Sequence, residues 1–219
     1  MSLEFSPTES PTFPIPDIVP IFPLPSIVFF PETYLPLHIF EPRYREMVQD
    51  ASCQGHCIGM ALLQEGWEEQ YYEHPPIHTM GCVGRIISLH KLSDGCFNIV
   101  LQGLQRCTYV EQATSTLYRK AKVVLPAQSH PAGLPVEVRI RLETIAQEYL
   151  QYRKATELSQ VITTSQLTDP ILVNNLSAGL DFSPLEKQFL LESEHLTQQA
   201  RRLIDLLRFK LADLPLNQG

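Results

Sequence analysis

Proline limits this chain more than any other residue. Of its 18 prolines, nine fall within the first 36 residues, at positions 7, 11, 14, 16, 20, 23, 25, 31 and 36. Each fixes φ near about −65° and removes a backbone donor, so it fits neither a helix interior nor a central strand. The run P-T-F-P-I-P-D-I-V-P-I-F-P-L-P at 11–25 therefore predicts extended, edge-like chain. Residues 1–16 read as a flexible Pro-rich tail, and the fold is expected to begin within Ile18 to Phe30.

From Ile27 to Val124 the signals are those of strands. Ser26 to Phe30, Leu35 to Phe40 and Cys57 to Leu63 are short apolar runs bounded by Pro, Glu or Gln. Val83 to Leu92 and Cys96 to Leu101 flank Ser93-Asp94-Gly95, a hairpin turn in which Gly tolerates positive φ. Arg106 to Val110 and Tyr118 to Leu125 bring the total to six or seven strands. One short helix interrupts them, from Pro42 to about Ser52, with proline suited to its first turn. Residues 17–126 are thus predicted as a β domain.

After Pro126 the pattern changes period. A-Q-S-H-P-A-G-L-P at 127–135 reads as a linker. Val138, Leu142, Ile145, Tyr149 and Tyr152 then recur at helical spacing. A second helix is predicted over Pro170 to Ala178, stopping near Gly179. Ser183-Pro184-Leu185-Glu186 carries a cap, a first-turn proline and a capping-box glutamate, which opens a third. A fourth spans about Ser193 to Leu211. Residues 127–219 are expected to form a helical bundle, so the fold class is α+β.

At 219 residues and 44% hydrophobic, the chain can bury a core, and a chain of this size encloses roughly 70% of its unfolded surface. It has no apolar run of the length that a membrane helix needs. Its start has acidic Glu4 and Glu9 and lacks the basic, apolar pattern of a secretion signal. Cytoplasm is the expected location. The formal charge of −7 disfavours nucleic acid and anionic lipid as broad partners. Five cysteines, an odd count with three in apolar strand-like runs, argue for reduced thiols rather than a disulfide framework.

No phosphate-binding glycine loop, dinucleotide fingerprint, H-E-x-x-H or G-x-S-x-G occurs in the sequence. No catalytic residue, metal or cofactor is assigned. Cys53, His56 and Cys57 cluster locally, but a structural zinc needs four ligands and His74 and His78 lie across a loop. They read as helix-end residues. Glu65 to Glu73 holds the chain's one Trp, Trp67, beside Tyr71 and Tyr72 in a loop between strands, where binding residues concentrate. Its bland alternative is a loop folding its rings back onto the strands. Together with Pro36 on an exposed strand, Trp67, Tyr71 and Tyr72 are the candidate peptide-binding residues. The cluster Glu41, Arg43, Tyr44, Arg45 and Glu46 could be an anionic-peptide site or an acid/base pair. It reads better as a joint: Glu41 near the helix start, Arg43 or Arg45 pairing locally, Tyr44, Met47 and Val48 facing inward.

The segments Pro20 to Pro25, Val28 to Pro31 and Leu35-Pro36-Leu37-His38-Ile39-Phe40-Glu41-Pro42-Arg43-Tyr44 closely resemble the N-terminal domain of the Lon protease family. So do Val83-Gly84-Arg85-Ile86, Ile99 to Arg106 with Gly103, and Ser183 to Glu192. His38, Phe40, Glu41, Pro42, Arg43, Tyr44, Arg85, Gly103 and Arg106 are the signature positions, and the likeness spans roughly residues 17 to 212. The resemblance implies a PUA-like β pseudo-barrel followed by helices, in a stand-alone form without the ATPase and protease modules. It implies capture of unfolded or exposed protein segments rather than their cleavage, with an ATPase or protease possible in trans. An intrinsically proteolytic chain and a PUA-like RNA binder are the competing expectations.

Overall fold

The structure is a computed structural model that describes residues 3–4, 14–126, 133–154 and 167–213. Seven strands form one mixed sheet: β1 (Leu3–Glu4), β2 (Ile18–Leu24), β3 (Tyr34–Ile39), β4 (Cys57–Leu62), β5 (Met80–Lys91), β6 (Phe97–Gln112) and β7 (Arg119–Val124). Helix α1 (Pro42–Cys53) follows β3. Four more helices among the described residues come after the strands: α2 (Val136–Tyr152), α3 (Asp169–Gly179), α4 (Pro184–Leu191) and α5 (Leu196–Ala212). The order is β1-β5-β4-β2-β7-β6-β3, and β5 also pairs with β6. That extra pairing returns the ladder to its start, so β5, β4, β2, β7 and β6 make a closed circuit. Only β2 and β4 run parallel within it.

Proline shapes the details. Pro20 and Pro23 sit within β2, and Pro36 within β3, which lies at the end of the strand order. The predicted strand at Ser26 to Phe30 does not form. Val28, Phe29 and Phe30 are all buried, but the segment joins no strand ladder. Val28 and Phe30 enter the core shared with the helices, while Phe29 enters the core beneath α1. Prolines at 25 and 31 bracket this segment and hold it as an irregular plug. The expected separate strand at Arg106 to Val110 is instead the continuation of β6, whose ladder with β5 shifts register at Val83/Gly84 and Ile86/Ser88. Such bulges bend a long strand enough to serve two neighbours. The last helix starts at Leu196 rather than Ser193, because His195 supplies the cap: its Nδ1 accepts from the Gln198 N–H at 3.1 Å.

Of the tail expected at 1–16, Leu3 and Glu4 pair with Leu89 and Ser88; residues 1–2 and 5–13 lie outside the described residues, as do 127–132 of the expected linker. No helix among the described residues is long and apolar enough to cross a membrane. The five cysteines carry free thiols, with Cys57, Cys82 and Cys107 buried.

Candidate functional site

Two features that look unrelated in the sequence meet in space. The first is the start of α1. Pro42 occupies its first turn, and the N–H groups of Tyr44 and Arg45 donate to the Glu41 carbonyl at 3.0 and 2.9 Å. Tyr44, Met47, Val48 and Ala51 face the core, as their spacing predicts. The Glu41 carboxylate caps nothing, which frees it for other partners.

The second is the loop between β4 and β5. Its ends are tied together: Leu63 bridges Ile77, Gln64 N–H donates to Pro76 O at 2.9 Å, and Gln64 Nε2 donates to Ile77 O at 2.9 Å. Gly66, at φ 83°, turns the chain into a single helical turn at Glu68–Gln70. Trp67 meets Tyr71 edge-on at 5.5 Å, and Tyr71 meets Tyr72 at 5.1 Å and 79°.

Arg43 joins the two. Its Nε donates to Glu41 Oε2 at 3.1 Å and its Nη1 to the Tyr71 carbonyl at 3.3 Å. Its guanidinium lies 4.5, 4.8 and 5.7 Å from the ring centres of Tyr44, Tyr71 and Tyr72. A cation so placed gains from each ring quadrupole. Tyr71 Oη donates to the other Glu41 oxygen at 2.7 Å. Burial, then that hydrogen bond to Glu41, push the Tyr71 phenol above its usual range, so it stays a donor. Burial likewise holds Tyr44 neutral.

A second arginine clamps the far limb of the loop. Arg119, only 8% exposed, donates Nε and Nη2 to the two Glu111 oxygens at 2.7 and 2.6 Å and Nη1 to Pro75 O at 2.7 Å. This fork-to-carboxylate geometry is one that lysine cannot reproduce. Between the clamps is a cavity of about 120 Å³, whose walls include Arg43, Tyr44, Tyr71, Tyr72, Tyr118 and Arg119. Tyr72 is 85% exposed at its mouth.

The structure thus brings Glu41, Arg43 and Tyr44 together with Trp67, Tyr71 and Tyr72. Pro36 is not among them. It is exposed on β3, beside a shallow groove with His38, His90, Asn98 and Val100 that shares no lining residue with the tyrosine cavity. His38 and Asn98 share a hydrogen bond at 2.7 Å, and Phe40, 62% exposed, stacks on the His38 ring at 6.1 Å. Arg85 lies beside Cys57, whose thiol burial raises and the guanidinium opposes. Arg106 reaches away from the cavity and donates both terminal nitrogens to the Ser193 and Glu194 carbonyls. Gly103 passes under the 30–33 segment. Cys53 is exposed while Cys57 points into the core, so the sequence cluster with His56 does not converge on one point. Nothing in the sequence alone marks Tyr118 or Arg119 as part of this cavity; the one local signal is a cation at the start of an otherwise half-apolar strand.

Residues 18–208 match the family described as the ATP-dependent protease La (LON) substrate-binding domain. The chain belongs to that family. Lon protease 2 of Myxococcus xanthus is 30% identical over 206 residues, covering 93% of this chain but 25% of the relative. The chain therefore spans about a quarter of the length of the curated relatives it matches. The N-terminal domain of Mycobacterium avium complex Lon protease shares the fold with a TM-score of 0.68 at 17% identity, covering 87% of this chain and 98% of that one. A Lon N-terminal domain protein from Xanthomonas campestris does so with a TM-score of 0.63 at 23% identity, covering 90% and 99%.

Proposed function

We propose that this chain is a non-catalytic module that binds exposed or unfolded segments of other proteins, in protein quality control or delivery to a protease. The observation that carries the reading is the aromatic cavity itself, built where the Glu41-Pro42-Arg43-Tyr44 segment clamps a loop whose Trp67 and Tyr71 fold back onto the strands while Tyr72 stays exposed. Rigid aromatic rings present large contact areas with little conformational entropy to lose, which is why they anchor protein recognition. The groove beside Pro36 is a second contact area. A client strand adding to the outer edge of β3 would meet one position without an N–H, so side-chain contacts with Phe40 and Tyr34 would have to dominate there.

The closed circuit of five strands supports reading the β part as a PUA-like pseudo-barrel, with α2 to α5 as a bundle against it. Any turnover would come from an ATPase or protease module outside residues 1–219, within which none of the catalytic motifs named above occurs. The test is a titration of the purified chain with a permanently unfolded, carboxymethylated protein. Saturable binding is expected, weakened about fivefold or more by Tyr72→Ala, with neither ATP nor casein hydrolysed. Absence of binding across a panel of unfolded clients would overturn the reading.

A further inference from the structure

We propose that the tyrosine cavity selects proline-rich client segments in the polyproline II conformation; this rests on the client-binding reading above and names the class of segment. Size is the first argument. The cavity holds about 120 Å³, somewhat less than the roughly 150 Å³ known to take one benzene ring in an engineered protein core. It admits one small ring at a time and is too narrow for a helix face.

The walls are the second. Tyr71 and Tyr72 stand with their planes at 79°, forming a corner that Tyr44 and Tyr118 extend. Pro23, Leu63, Pro75 and Leu117 add apolar lining, and Glu73, His74 and Thr116 polar lining. A pyrrolidine ring is compact and conformationally restricted, and aromatic-lined grooves recognise it because polyproline II is already formed before binding.

Charge is the third argument. Arg43 is paired with Glu41 and Arg119 with Glu111, so neither offers a free cation to an acidic client. Exposed Glu73 lines the cavity, and exposed Glu65, Glu68 and Glu69 on the same loop add negative charge that would repel one. The occupant is therefore not anionic.

Hydrogen bonding is the fourth. A proline segment has carbonyl acceptors at every residue and few donors, so it complements a donor-bearing wall. The accessible donor is the phenol of Tyr72, which lines the cavity and is largely exposed, whereas Arg43 Nη2 is buried against Glu41 Oε2 at 3.0 Å. Strand addition is closed off at this place. β2 is flanked on both sides by β4 and β7, and the loop's base is already bridged at Leu63 and Ile77.

Trp67 is the chain's single tryptophan and touches Tyr71, so its emission reports on the cavity. The full chain is titrated by fluorescence and by calorimetry with three probes: a ten-proline peptide, a Gly/Ser peptide of equal length, and a carboxymethylated unfolded protein. Saturable binding of the proline peptide is expected, with none for Gly/Ser. Tyr72→Ala should weaken it about fivefold or more, with the far-UV circular dichroism unchanged. If the unfolded protein binds while the proline peptide does not, proline selection is overturned and the client-binding reading stands. If neither binds, both fall. A Phe-bearing peptide of equal length that binds more tightly than the proline peptide would also overturn the selectivity.

Discussion

At Gly103 a methyl group would stand 2.1 Å from the Phe30 carbonyl oxygen. The 30–33 segment crosses β6 there, held by Gly103 N–H to Thr33 O at 2.8 Å and Glu32 N–H to Gly103 O at 3.0 Å. A backbone atom cannot swing aside as a side-chain tip can. Gly103→Ala should therefore cost about 2–3 kcal/mol in urea unfolding with little change in the slope. A loss below about 0.5 kcal/mol would show that the crossing segment yields freely. Arg119 makes the complementary case with polar atoms. Arg119→Lys cannot keep both the Glu111 fork and the Pro75 carbonyl, so it should destabilise by about 1–2 kcal/mol despite retaining the charge, a range discounted because Glu111 is half exposed. It should also raise the mobility of Trp67, measured by fluorescence anisotropy. Neither role was legible in the sequence. Gly103 stood there as part of a family signature, and its clash partner lies on a segment remote in the chain. Glu41 and Arg43 read as a local pair, which they are, but nothing local shows that Tyr71 completes it.

Elements with local causes were legible. The hairpin turn forms at Asp94-Gly95, with Gly95 at φ 83° and Cys96 N–H donating to Asp94 Oδ1 at 2.9 Å. At α4 both capping-box bonds exist, Ser183 N–H to Glu186 Oε2 at 2.7 Å and Glu186 N–H to Ser183 Oγ at 3.2 Å. Where tertiary contacts decided, local reading failed: Ile27 to Phe30 has the composition of a strand but faces two cores. The α4 cap yields a pH prediction. Burial raises the Glu186 pKa, but the Ser183 N–H and Lys210, whose Nζ is 3.0 Å away, outweigh it, leaving the carboxyl below its usual 4.5. A depressed folded value means stabilisation is present above the unfolded value and disappears as pH falls through the folded one. The stability advantage of the native chain over Glu186→Gln should thus shrink as pH falls from about 6 to about 3, measured by urea midpoints. An advantage independent of pH would remove the carboxylate from the account. Ser183→Ala, by contrast, should cost about 1 kcal/mol at neutral pH.

On the scale of the whole molecule, the change of element type after residue 126 does not coincide with a break in the core. Val28, Phe30 and Leu62 from the strand part belong to the same buried cluster as Leu142, Leu172, Leu190 and Leu203 from the helices. Polar links cross the same boundary: Arg106 to the Ser193 and Glu194 carbonyls, Gln188 Nε2 to Met80 O at 3.0 Å, and His78 Nδ1 to Glu192 Oε1 at 3.4 Å. Burial lowers the Arg106 pKa, and that cost is tolerable only while the two carbonyls accept from it, because a buried unpaired guanidinium is strongly unfavourable. The β part and the helices should consequently unfold together. Trp67 emission reports the strands, far-UV circular dichroism is dominated by the helices, and the two urea transitions should superimpose. Arg106→Ala should move both midpoints down together, by about 1–3 kcal/mol. A fragment ending at residue 126 should lose cooperative unfolding, since Phe30 and Leu62 would face water. Two separated transitions in the intact chain would instead make the helices an independent domain, and Arg106 a contact between neighbours rather than a bond through one shared core.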